Sequence, residues 1–249
     1  MSAKLVPSRE IQFAAKTGFL SKPLWLEFFT KRSKSRNSRI WNSFVQDGYF
    51  RRHDSTMLTD VLILANRSIH ELQKRGIMAV TKPHLGQFDH DEKAARIILS
   101  LEREKAIGEF ITEAELKRKH WLWIKASRDG KDAKFPDLTI TLPIAAKFQK
   151  VAVEVEQSKK SYDRYKKIMS SYAGVKDIDA VIFISNQQSI FNSISRAMKE
   201  VNYPSWERPV GFGEMDHWLK DPLTAPIYLS RSTSSIQTWL NEKSEKIVV

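Results

Sequence analysis

The run from Phe135 to Tyr165 constrains this chain more than any other. Pro136-Asp137 opens a β-branched segment, and further on Val151, Val153 and Val155 alternate with Ala152, Glu154 and Glu156. A period of two sends successive side chains to opposite faces of a strand. The valines therefore pack one way, and Glu154 and Glu156 stand side by side the other way. Neighbouring carboxylates repel unless something neutralises them. In an acidic cluster that also draws in Asp137, a divalent cation is the usual neutraliser. The segment reads as a metal site.

Past the acidic pair come Gln157, Ser158, Lys159, Lys160 and Ser161, then a helical run through Tyr162, Tyr165, Ile168 and Met169. Ser158 is expected to cap that helix, which would hold Lys159 and Lys160 in its first turn beside the carboxylates. An aspartate, a glutamate further along a strand and a nearby lysine resemble the pattern of PD-(D/E)xK nucleases. Glu156 stands where that pattern has its lysine, so a lysine role passes to Lys160 or Lys159. The plainer alternative is a surface β-hairpin with charged edges.

Composition sets outer limits. The chain has 249 residues, enough for one large domain or two modest ones, and 41% of them are hydrophobic, including seven tryptophans, so a core can form. Its net charge of +12 favours a polyanionic partner, with nucleic acid first. The absence of cysteine excludes disulfides and cysteine-ligated metal centres. No apolar run is long enough for a membrane span, and the amino terminus lacks a signal-peptide core, so a cytoplasmic location is expected.

Residues 1–85 read as a DNA-binding domain. A helix from Ser8 to Lys16 ends at Gly18, and Ser21-Lys22-Pro23 starts a second helix carrying Leu24, Trp25, Phe28 and Phe29. A basic linker through Lys31, Arg32, Lys34, Arg36 and Arg39 then feeds a third helix through Ile40, Trp41, Phe44 and Val45, stopped by Asp47-Gly48. Tyr49 to Arg52, a polar turn at His53-Asp54-Ser55 and Val61 to Leu64 read as a β-hairpin, and Asn66 to Arg75 as a closing helix. The run Phe44 to Phe50 is similar to that of a winged helix whose recognition helix enters its wing directly. Lys34, Arg36, Arg39, Arg51 and Arg52 would then face DNA, where such side chains contact phosphates or guanine edges. The alternative is a solvated basic face on a structural helical cap.

Residues 86–249 read as a second domain after a linker beginning near Pro83. A helix is expected over Asp91–Lys105, with His90 at its start, then a strand over Ile107–Ile111, a loop at Arg128–Asp132, and the strands carrying Asp137 and Glu154. The basic helix, a buried strand over Ile178–Ile184 and a helix over Ser189–Lys199 follow. This α-β-β-β-α-β order resembles the core of PD-(D/E)xK nucleases, so the fold class expected is α/β (α+β), a winged helix-turn-helix followed by a restriction-endonuclease-like domain. Pro209 to Phe212 is expected to add an edge strand, Ile227 to Leu229 a further strand, and Ser235 to Lys243 a short helix. His217 and Trp218 are read as packing residues.

A winged helix followed by Glu113-Ala114-Glu115-Leu116, Pro136-Asp137 and Glu154-Val155-Glu156 resembles the MOBC group of plasmid mobilisation relaxases, among the replication-relaxation proteins, over roughly residues 8–200. The resemblance implies a site-specific, metal-dependent nick in one DNA strand at a plasmid transfer origin. It implies Mg²⁺ or Mn²⁺ held by Asp137, Glu154 and Glu156, with Lys160 as basic partner and Glu113 as a further site residue. It also implies accessory relaxosome and coupling proteins as partners. Glu109 and Glu115 are alternatives to Glu113, and the role of His90 stays open. The rival readings are a restriction- or transposon-type endonuclease with the same site, and a DNA-binding replication or transcription factor without catalysis.

Overall fold

Capping chemistry and buried helical stripes set the helix limits in the first half of the chain. The computed structural model describes residues 8–80, 85–118, 134–143 and 149–242. The chain is mixed α/β, with ten α-helices and two sheets among the described residues. It forms two compact units, Met1–Glu92 and Lys93–Val249.

In the first unit, α1 (Ser8–Thr17) precedes β1 (Leu20–Ser21). The Ser21 hydroxyl accepts from the Leu24 N–H at 3.4 Å and caps α2 (Lys22–Phe28), which has Pro23 in its first turn, where a missing N–H removes no helical bond. Then follow α3 (Lys34–Gln46), β2 (Phe50–Arg52), β3 (Val61–Leu64) and α4 (Asn66–Lys74). The strands form an antiparallel sheet in the order β1-β3-β2. Trp25 meets Trp41 and Phe44 with ring centroids 5.4 and 5.6 Å apart, and Phe44 meets Phe50 at 5.6 Å, so one aromatic cluster joins α2, α3 and β2. Gly48, at φ 73°, takes the left-handed conformation that turns the chain from α3 into β2.

The basic run expected as a linker is largely helical, because α3 begins at Lys34. Asn37, Trp41 and Phe44 form its buried stripe. Asn37 accepts from the Thr30 hydroxyl at 2.9 Å and donates to the Arg32 carbonyl at 3.0 Å, tying the preceding loop to the helix. A polar residue in the stripe concealed the helical period.

The division between the units falls inside α5 (Phe88–Arg103). The expected linker at Pro83 and the loop at Arg128–Asp132 lie wholly or partly outside the described residues. In chain order come β4 (Glu109–Thr112), α6 (Glu113–Arg118), β5 (Leu138–Thr141), β6 (Lys150–Val155), α7 (Tyr162–Gly174), β7 (Ala180–Ile184) and α8 (Gln188–Glu200). They are followed by β8 (Val210–Gly213), α9 (Met215–Lys220), β9 (Ile227–Tyr228), β10 (Thr233–Ser234) and α10 (Ile236–Asn241). The seven strands line up as β10-β9-β8-β7-β6-β5-β4, with β6, β7 and β8 parallel and the other pairs antiparallel.

The sheet is buried on both faces. Val151, Val153 and Val155 pack with Ile182, Ile184, Ile97, Ile98, Trp218 and Trp239 on one side, and Ala152, Val181 and Phe183 pack with Tyr165, Met169, Ile190 and Ile194 of α7 and α8 on the other. The expected edge strand at Pro209 to Phe212 is interior instead: β8 pairs with β7 and β9. Its glycines, weak strand formers by composition, admit close neighbours. A Cβ at Gly213 would lie 2.1 Å from the Trp218 indole nitrogen, and one at Gly211 2.4 Å from an Ile227 methyl.

Candidate active site

The acidic residues meet where β5 begins and β6 ends. Leu138 pairs with Val153 across these antiparallel strands, and that register brings Asp137 to Glu154. One Asp137 oxygen accepts from the Val155 N–H at 2.8 Å, while the other lies 3.2 Å from the Lys134 ammonium. The same ammonium is 2.9 Å from Glu154 Oε2. The Tyr172 hydroxyl of α7 donates to Glu154 Oε1, and the adjacent Ser171 hydroxyl accepts from the Lys134 N–H at 3.2 Å. Glu156 continues the ladder beyond β6, its N–H donating to the Ile184 carbonyl at 2.8 Å, and its carboxylate is held by the Lys160 ammonium. Glu154 and Glu156 are both buried.

Burial dominates the electrostatics. It pushes the Glu154 carboxyl up to about 8, with Lys134 pulling the other way and Asp137 adding to the rise. Burial also raises Glu156 against the pull of Lys160. For Lys134, burial alone would favour the neutral amine, but Glu154 and Asp137 outweigh it, Glu113 adds to them, and the ammonium is stabilised. The Tyr172 phenol is pushed well above its ordinary range, first by burial and then by Glu154, so it stays a donor.

The α7 cap differs from expectation. Ser161, not Ser158, caps this helix, its hydroxyl accepting from the Arg164 N–H at 3.4 Å. Lys159 and Lys160 therefore lie in the connection before the helix. Lys159 is exposed, and Lys160 reaches Glu156 from the loop, where the Lys160 N–H donates to the Tyr165 hydroxyl at 3.1 Å. The parallel pairing of β6 with β7 draws the chain on along the strand line through Glu156, which delays the helix start.

Glu113 opens α6. Its N–H donates to the Asp137 carbonyl at 3.0 Å and its carboxylate pairs with Lys117 at 3.0 Å, so it borders the cluster. Glu115 accepts from the Thr112 N–H at 3.2 Å while Thr112 accepts from the Glu115 N–H at 3.4 Å. This reciprocal capping box accounts for Glu115 as a helix-starting residue. His90 lies 3.1 Å from Asp91 in α5, and Trp218 is fully buried while His217 faces Glu214 at 3.3 Å.

In the first unit, Lys34, Arg36 and Arg39 are exposed on α3. Arg52 of β2 reaches Asn42 of α3 at 3.5 Å and the Thr59 carbonyl at 3.3 Å, and Arg51 pairs with Asp54 at 2.7 Å. The β2 arginine thus lies against the same helix that carries the α3 cations.

Lys134 and Tyr172 were not singled out from sequence. Lys134 is only three residues before Asp137, a spacing that could have drawn notice, whereas the hydroxyl of Tyr172 looks like one more apolar contact in the α7 stripe. Two carboxylates converge on one cationic centre, a donor set suited to a hard cation. Among the described residues, no group of three or more His, Asp or Glu side chains stands ready as a metal cage.

Comparison with protein-family models, curated proteins and solved structures gives no match. No helix among the described residues is long and apolar enough to cross a membrane.

Proposed function

We propose that this chain is a metal-dependent DNA endonuclease that makes a site-specific single-strand nick, of the kind that starts plasmid mobilisation at a transfer origin. One observation carries the reading: Asp137, just before β5, and Glu154 of the neighbouring β6 close on a single cation with Glu156 beside them, inside a unit whose elements run α5, β4, β5, β6, α7, β7. That order, with α6 inserted after β4, supports a PD-(D/E)xK nuclease-like fold for the second unit. For the first unit, the order α1-β1-α2-α3-β2-β3, the β1-β3-β2 sheet and the cations of α3 and β2 support a winged helix that binds DNA. The single-strand outcome and the transfer origin come from the resemblance to plasmid relaxases.

The residues fit Mg²⁺ or Mn²⁺ as hard-cation ligands: Asp137 and Glu154 would hold it, and Glu156 would join on leaving Lys160. When bound, such an ion supplies charge stabilisation at the phosphate and a water of lowered pKa. The protein's own contribution is placement. Val155 N–H fixes the Asp137 carboxylate, and Tyr172 fixes that of Glu154. The buried surroundings strengthen each charge interaction with a bound phosphate.

The test is cleavage of negatively supercoiled plasmid with Mg²⁺ or Mn²⁺. Relaxed circle is expected. Linear product would point to a double-strand endonuclease. No cut, with DNA still bound, would point to a DNA-binding factor, a reading favoured by the lysine pairing of all three carboxylates.

A further inference from the structure

We infer, on the endonuclease reading above, that Lys134 is the catalytic lysine of this site: its ammonium binds a non-bridging oxygen of the scissile phosphate, the part that the resemblance to plasmid relaxases gives to Lys160 as basic partner. Two observations separate the two lysines, the carboxylates each one holds and the second partner of Glu154. Lys134 bridges two carboxylates, at 3.2 Å from Asp137 just before β5 and 2.9 Å from Glu154 of β6, whereas Lys160 spans the two oxygens of Glu156. The backbones of both lysines are tied to α7, Lys134 through Ser171 and Lys160 through Tyr165, so each enters the cluster from a fixed point. Glu154 has a second partner in Tyr172, which keeps the carboxylate in place when the ammonium turns to a phosphate.

A phosphodiester brought against three carboxylates is repelled unless a cation meets it, and charge on its oxygens grows as the bond breaks. In hydrolysis a water oxygen bonds to phosphorus, the bond from phosphorus to one sugar oxygen breaks, the water's proton passes to solvent, and the departing sugar oxygen takes one up. Lys134 keeps its own protons throughout. Its side chain is 18% exposed and that of Lys160 27%, so exposure leaves both ammonium groups within reach of solvent.

The chain has no cysteine, so Lys134→Cys creates a unique thiol in the full-length protein. Nicking of supercoiled plasmid with Mn²⁺ is expected to fall about 100-fold. Alkylation of the unfolded protein with 2-bromoethylamine, followed by refolding, rebuilds an ammonium at nearly the lysine length and should restore at least a tenth of the rate. The neutral adduct of iodoacetamide should not. Binding of the same DNA with Ca²⁺ should change less than threefold. Lys160→Cys is expected to lose less than tenfold.

Equal rescue by the two reagents would overturn the assignment, as would loss and amine rescue at position 160 but not at 134. Lys134→Met provides a second variant; if folded by its melting curve and cutting at the wild-type rate, it sinks the lysine role alone. A wild-type protein that never nicks sinks the endonuclease reading and this role together.

Discussion

Tyr172 and Glu154, 18 residues apart in sequence and both buried, are joined by a hydrogen bond from phenol to carboxylate. The contact fastens α7 to the acidic face of β6, one residue from the Ser171 contact that anchors Lys134. Tyr172→Phe removes the hydroxyl while keeping the ring. We expect it to cost about 1–3 kcal/mol, because a buried carboxyl group loses a hydrogen-bond partner. Urea unfolding of the variant against wild type measures it, and an unchanged midpoint would contradict the role.

A stability change with pH follows from Glu154. Its folded-state carboxyl titrates at about 8, above the ordinary carboxylate value of 4.5 that applies when unfolded. Between those limits the unfolded chain has released the proton and the folded chain retains it, so the unfolded state binds fewer protons and unfolding free energy falls as pH rises. In metal-free protein the Glu154 contribution should decline from about pH 4.5 to 8 and level off above. Subtracting the same urea series for Glu154→Gln isolates this contribution; parallel profiles for the two proteins would refute it.

Carboxylate removal should separate cutting from binding. Asp137→Asn and Glu154→Gln are each expected to lower nicking at least about 100-fold while DNA affinity changes little, since both belong to the cluster and not to the basic face of α3. Glu156→Gln should weaken metal dependence less. Single-turnover nicking and gel-shift titration on the same plasmid decide, and near-wild-type cutting by Asp137→Asn would defeat the site.

Recognition should depend on α3. Arg36→Ala and Arg39→Ala are each expected to weaken duplex binding and to reduce the slope of log affinity against log salt by ~0.9 per lost phosphate contact. Arg51 is paired with Asp54, so its removal should have a smaller effect. Salt titrations by fluorescence anisotropy provide the measurement; slopes equal to wild type for both α3 variants would remove this surface from the DNA contact.

The tyrosines near the acidic strand have other partners. Tyr162 donates to Glu200 at 2.6 Å, and the Tyr165 hydroxyl accepts from the Lys160 N–H at 3.1 Å with its ring in the core. Hydrolytic nicking without a protein–DNA adduct is expected, with less than tenfold loss on Tyr162→Phe or Tyr165→Phe. A labelled strand that stays on the protein through boiling in detergent, and is freed by one of these substitutions, would make that tyrosine the nucleophile.

Period-two alternation alone determined that Val151, Val153 and Val155 face away from Glu154 and Glu156, because strand geometry sends alternate side chains to opposite faces. Capping chemistry likewise marked Ser21 and Pro23 at the start of α2. Tertiary structure decided the rest. Strand register, which depends on pairing between distant segments, brought Asp137 to Glu154 and allowed Lys134 to serve both. Parallel pairing with β7 extended the chain through Glu156 and moved the helix cap from Ser158 to Ser161. Packing of α7 against β6, which no local pattern in the sequence displays, placed the buried Tyr172 hydroxyl as the donor that holds Glu154.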